Sequence, residues 1–156
     1  MARWTGWVVA LVLLTAPAVA QSEMPSMPNA EASAPATPDA AAIAEWQGVI
    51  HNQVQAFRDH DGAGALSYAA APFHEQFKDP TDFMVAILNA GYAPIMDSRS
   101  ESFGPYEVMS ADVVDQDVKF VGKDQSLYEA IYRLQREAGG WRVEAVTMIK
   151  KADVGA

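Results

Sequence analysis

The chain has 156 residues, of which 50% are hydrophobic and 20% charged, enough for one core and little more. Twenty acidic against eleven basic side chains give a formal charge of -9, which makes polyanions poor partners; nucleic-acid binding needs a basic stripe that displaces counterions. There is no cysteine, so disulfides and thiol-linked lipids are ruled out and stability has to come from burial.

The N-terminus reads as an export signal. Arg3 precedes the apolar run Trp7-Val8-Val9-Ala10-Leu11-Val12-Leu13-Leu14, and Ala18-Val19-Ala20 supplies small residues for cleavage between Ala20 and Gln21. The run is short for a membrane span and lacks a basic stop-transfer flank, so residues 1–20 are expected to be removed. The expected location is periplasmic or secreted, with no lipobox cysteine and no membrane attachment after cleavage. Loss of Arg3 would leave ten basic against twenty acidic side chains, a charge of -10. Residues 21–39 are rich in Pro, Ala, Ser and Met and have no apolar face, which predicts a disordered linker. Met24 and Met27, without a histidine nearby, are too few to suggest a copper site.

A single α+β domain is expected over residues 40–151. Asp39 can cap a first helix whose apolar stripe is Ile43, Trp46, Ile50, Val54 (or Gln53 beside it) and Phe57; Gln47, His51, Gln55 and Arg58 form its polar side. Asp61-Gly62 ends it. A second helix is expected over Ala63–Ala70, with Pro72 stopping it and Phe73 and Phe77 on a connecting turn. Pro80-Thr81-Asp82 opens a third helix carrying Phe83, Met84, Ile87 and Leu88, closed by Gly91 as a left-handed cap. Tyr92 and Pro94 then begin an extended stretch.

Three strands are predicted: Val108–Val121, Ser126–Arg136 and Trp141–Ile149, with turns at Gly122–Gln125 and Ala138–Gly140. In the middle strand Tyr128, Ala130, Tyr132 and Leu134 are the better core set. The first strand changes phase between Met109, Ala111, Val113 and Val114, Val118, Phe120, which a bulge near Asp115-Gln116 would reconcile. Helices first and meander last predict a curved sheet over a helix layer with a pocket between them.

Two stretches carry a family resemblance: Val54-Gln55-Ala56-Phe57-Arg58-Asp59-His60-Asp61-Gly62-Ala63-Gly64-Ala65-Leu66-Ser67-Tyr68-Ala69, and Phe83-Met84-Val85 with Gly91-Tyr92-Ala93-Pro94-Ile95 and Phe103-Gly104. With the final Trp-Arg-Val strand they resemble an exported bacterial family, domain of unknown function 4864, over about Ala40 to Ile149. That family is similar in fold to the nuclear transport factor 2-like group, which includes ketosteroid isomerase and SnoaL-type cyclases. The resemblance implies a cone of N-terminal helices on a curved antiparallel sheet. It brings no catalytic residue across, because the group's carboxylates have no aligned counterpart here. The loop after Tyr92 also departs from the family: Met96-Asp97-Ser98-Arg99 sets an acid beside Arg99 where the family carries a basic, proline-containing stretch.

Asp59, His60, Asp61 and His74 are the candidate acid–base groups, since a histidine held by a carboxylate can move protons near neutral pH. The plainer reading of the first three is helix capping and charge–dipole complementarity. His51, His60 and His74 with Asp59 or Glu75 lack the spacing of a preformed zinc site, so no metal or cofactor is expected. Trp46, Phe57, Tyr68, Phe77, Tyr92, Tyr128, Tyr132 and Trp141 are the predicted pocket lining, the tyrosines being suited to orient a small ligand. Glu129, Arg133, Arg142 and Glu144 are expected to pair across strands, either as a solvated face or as the rim of a homodimer interface on the sheet. The leading reading is a noncatalytic exported module binding a small apolar ligand or a partner protein. The alternatives are an isomerase or dehydratase using the Asp/His group, and a structural envelope protein.

Overall fold

The computed structural model describes residues 36–149, so the export signal, its cleavage point at Ala20 and Gln21, and most of the linker lie outside the described residues. Five helices precede four strands: α1 (Ala40–Arg58), α2 (Gly62–Ser67), α3 (Ala71–Gln76), α4 (Pro80–Asn89), α5 (Ala93–Met96), β1 (Ser100–Ser110), β2 (Val113–Val121), β3 (Leu127–Glu137) and β4 (Gly140–Ile149). The strands form one antiparallel meander in the order β1-β2-β3-β4. No helix among the described residues is long and apolar enough to cross a membrane.

Local chemistry sets the helix boundaries. The Asp39 carboxylate accepts from the Ala42 amide at 2.8 Å, and Asp61 and Asp79 cap α2 and α4 through Gly64 and Thr81 at 2.9 and 2.7 Å. Each satisfies an amide the helix leaves orphaned and is worth about 1 kcal/mol. His60 adopts φ +56°, which turns the chain out of α1, and Gly91 at φ +91° ends α4 as a left-handed residue. At Gly62 the chain passes so close to Pro80 that a Cβ would lie 2.7 Å from its carbonyl oxygen, so a side chain would force α2 and α4 apart.

Several expected boundaries are corrected. The strand expected over Val108–Val121 is two strands: its phase change is a hairpin turn at Ala111–Asp112, not a bulge near Asp115-Gln116. The Asp112 carbonyl anchors that turn by accepting from the Arg136 amide at 2.8 Å. The expected second helix ends at Ser67 because Ala69 leaves it to pair with Val143, the Tyr68 carbonyl accepting from the Val143 amide and the Val143 carbonyl from the Ala70 amide. Pro72 and Pro94 open helices rather than block them. Both sit in the first turn of α3 and α5, where the missing amide hydrogen costs nothing and φ is already helical.

The core forms between α1 and the sheet. Trp46, Ile50, Val54 and Phe57 are buried at intervals of three and four, with Ile43 half-buried at the margin. They meet Val114, Val118 and Phe120 of β2, Ala130, Tyr132 and Leu134 of β3, and Trp141 and Val143 of β4. Each full burial of a large apolar side chain contributes about 1.5–3 kcal/mol. Register shifts at Phe103/Tyr106 on β1 and Arg133/Leu134 between β3 and β4 bend the sheet over α1. The first falls at Gly104-Pro105 on an edge strand, where proline removes no ladder bond.

The outer sheet face corrects another expectation. Arg133 makes two hydrogen bonds with Asp115 of β2, both at 2.7 Å, and Glu129 faces Lys119 at 3.9 Å. Arg142 turns back to the Trp141 and Gly139 carbonyls of its own hairpin. The shift at Arg133/Leu134 puts Arg133 opposite Ala145 and Gln135 opposite Arg142, so Arg142 stands apart from the expected quartet, while the Glu144 charge still favours the Arg133 guanidinium.

Candidate ligand cavity

The second half of α1, α4, the end of α5 and the middle of β3 and β4 surround a cavity of about 90 Å³. Gln53 and Phe57 reach it from one face of α1, Phe83 and Ile87 from one face of α4; each pair is four residues apart, which stacks side chains on a helix. Tyr92, Ile95, Tyr132 and Val143 supply further walls. Phe73, Ile87 and Val146 are only half-buried and Ala145 is exposed, which places the mouth between α4 and β4.

Three polar side chains line this apolar space. Tyr92 has committed its proton: its hydroxyl donates to the Val146 carbonyl at 2.6 Å. Gln53 is 2% exposed, and its amide nitrogen donates to the Ala65 carbonyl at 3.1 Å. That bond fixes the orientation of the amide and leaves Oε1 buried without a partner. The Tyr132 hydroxyl is also buried and unpartnered. Burial pushes its phenol well above the usual tyrosine range, and the nearby Glu101 carboxylate adds to this, so the group stays a neutral O–H. An unsatisfied buried polar atom costs about 1–3 kcal/mol, and here two such atoms belong to residues that line the cavity. A third, Trp141 Nε1, lies outside it, on a ring stacked beneath the Arg136 guanidinium at 4.7 Å.

A charged cluster adjoins this region. The Glu101 carboxylate pairs with Arg58 Nη2 through one oxygen and with His51 Nδ1 through the other. Arg58 also donates to Ser98 Oγ at 2.8 Å, and Ser98 donates to the Ile95 carbonyl at 2.7 Å. Burial opposes ionisation of Glu101, but the hydrogen bonds and charges of His51 and Arg58 outweigh it and hold the carboxyl below its ordinary value. The cluster ties α1 to the start of β1.

Of the predicted lining, Phe57, Tyr92 and Tyr132 reach the cavity and the other five do not. Trp46 packs edge-on against Tyr106 and Trp141 at 5.3 and 5.6 Å, filling the core towards the start of α1, which accounts for Trp141 as well. Tyr68 is held at the end of α2 by its backbone bond to Val143. Phe77 packs edge-on against Phe83 at 5.5 Å, and the Tyr128 hydroxyl donates to Asp124 in the β2–β3 turn. Gln53, Ile87, Ile95 and Val143 were not predicted as lining; the one signal in the sequence was Gln53, a polar residue on the apolar phase of α1.

The acid–base candidates lie elsewhere. Asp59, His60 and Asp61 are exposed around the end of α1, Asp61 occupied in capping α2. His74 is exposed on α3 with its ring Nε2 against the Ala69 carbonyl at 3.1 Å. None of the four lines the cavity. Among the described residues, no three His, Asp or Glu side chains gather as a metal site.

The comparisons place the chain in a class. It belongs to the family described as domain of unknown function (DUF4864), whose model matches residues 37–156. No curated protein matches it. A crystal structure from Campylobacter jejuni, of a protein provisionally named an NTF2-like transpeptidase, is similar at 10% identity and a TM-score of 0.49. The match covers 64% of this chain and 96% of that one.

Proposed function

We propose that this domain is an exported, noncatalytic module that binds a small, mostly apolar ligand between its helices and its sheet. The observation that carries the reading is the unfilled apolar space walled by Phe57, Phe83, Ile95 and Val143 inside an otherwise packed core. Interiors are packed to near-crystalline density, so an apolar space between core residues stands out, and ligand sites are concave and mostly apolar. The N-terminal signal pattern supports export, and the absence of the Asp/His candidates from the cavity wall supports a binding role over acid–base chemistry.

The volume limits the ligand. An engineered protein cavity of about 150 Å³ takes benzene, whereas drug-sized pockets run to about 300–1,000 Å³. At about 90 Å³ the space accepts a molecule, or the tail of one, of a few non-hydrogen atoms. A thermal-shift screen with small branched hydrocarbons, alcohols and ketones tests this. Ligands of this size should raise the melting temperature with increasing concentration, and Val143→Phe, which fills the space, should abolish the rise. No shift for any compound would count against the reading.

A further inference from the structure

We infer that a second site, apart from the cavity, binds a small aromatic carboxylate: the groove of about 230 Å³ between the start of α1, the β1–β2 hairpin and the β3–β4 hairpin, with Arg136 as its anion contact. The groove shares no lining residue with the cavity and does not depend on the cavity binding anything. Strand phase brings the cation there. Arg136 continues the series Ala130, Tyr132, Leu134 at intervals of two, so it projects from the core face of β3, and it stands directly opposite Trp141 on β4. Its guanidinium lies 4.7 Å from the centre of the Trp141 ring, and both residues line the groove. Stacking uses the flat face of a guanidinium and leaves its in-plane N–H donors free.

Those donors have no partner within the fold. Arg58 bonds Glu101 and Ser98, Arg133 bonds Asp115, and Arg142 bonds the Trp141 and Gly139 carbonyls. No carboxylate among the described residues pairs with Arg136. The carboxylate of its neighbour Glu137 accepts instead from the Ala71 amide at 2.9 Å. The rest of the groove is mainly apolar: Ala42, Val108 and Val113 are half-buried in its walls beside the buried Trp46 and Trp141. A planar cation next to apolar walls matches a carboxylate carried on an apolar body, which a guanidinium can hold by two parallel bonds. The space exceeds the roughly 150 Å³ that takes benzene, so a ring and a short acid arm fit. A doubly charged phosphate would meet a single cation on a chain of formal charge -9.

The test is a matched pair, phenylacetate and its neutral amide phenylacetamide, titrated into the ¹⁵N-labelled protein and followed by the indole resonances of Trp46 and Trp141 and the amide of Ala111. Phenylacetate should shift these signals and bind about tenfold more tightly than phenylacetamide, the contribution of a charge-assisted pair. Arg136→Met keeps an unbranched chain beside Trp141 without the charge and should remove that preference. Arg133→Met takes away the same charge outside the groove and should leave the preference intact. In wild type alone, phenylacetate that fails to bind, binds no better than its amide, or shifts Ala145 and Val146 of the cavity instead would overturn the inference. A preference that survives in Arg136→Met, or is lost equally in both variants, would overturn it too.

Discussion

Two glutamines are buried in this core, and they are treated in opposite ways. Gln116 is fully buried and fully used. Its Oε1 accepts from Trp46 Nε1 and from Gln47, each at 3.1 Å, and its amide nitrogen donates to the Gly104 and Pro105 carbonyls at 2.9 and 3.1 Å. Those carbonyls lie where the β1 register slips, so Gln116 mends a break in the ladder while docking α1. Gln53, equally hidden, is half used. A buried amide that closes its own network holds the fold together; one left half open carries the desolvation cost of its unpaired acceptor.

This difference is open to mutation. The largest effect is expected at Gln116→Leu, which strands the Trp46 indole N–H and the Gly104 carbonyl and should cost about 2–5 kcal/mol in denaturant unfolding. A loss under about 1 kcal/mol would mean that Gln116 and Gln53 do not differ in kind. Next is Glu101, whose folded-state pKa is depressed. Its contribution to stability is complete above the ordinary value of 4.5 and is lost as pH falls through the lower folded value. Wild type should therefore lose stability on acidification below pH 4.5 more steeply than Glu101→Gln, as read from melting temperature against pH. Equal slopes would remove the Arg58–Glu101–His51 cluster as a tie between α1 and β1.

Smaller still is Gln53→Leu, which orphans the Ala65 carbonyl but relieves Oε1, so the net change should lie within about 1 kcal/mol. Tyr132→Phe should be neutral or stabilising by up to about 1 kcal/mol in the unliganded protein, because it removes a hydroxyl without a partner. A marked destabilisation would show that the hydroxyl is satisfied internally and would erase the contrast with Gln116.

The legible parts of the fold were those with sustained periodicity. The stripe from Trp46 to Phe57 and the alternation through Ala130, Tyr132 and Leu134 identified α1 and β3 together with their buried faces. The β1–β2 turn was hidden because Ser110-Ala111-Asp112 has no glycine or proline, while Gly104-Pro105 within β1 reads as a breaker. The prolines that open α3 and α5 misled for a related reason: a single proline both stops a preceding helix and starts a following one, and the chain around it decides which. At the site, Tyr132 was legible from its strand phase. Gln53 was visible as a polar residue on an apolar stripe but carried no sign of where its oxygen points. Ile87, Ile95 and Val143 come together only through tertiary packing of α4, α5 and β4, and no local pattern joins them.

The central claim is tested most directly by locating a bound probe. Isobutanol added to the protein should give intermolecular nuclear Overhauser contacts to the methyl groups of Ala69, Val143 and Val146, with none to Val114 beside Trp46. Contacts scattered over the exposed side chains of Val85, Leu88 and Leu127, or none at all, would contradict a built ligand cavity.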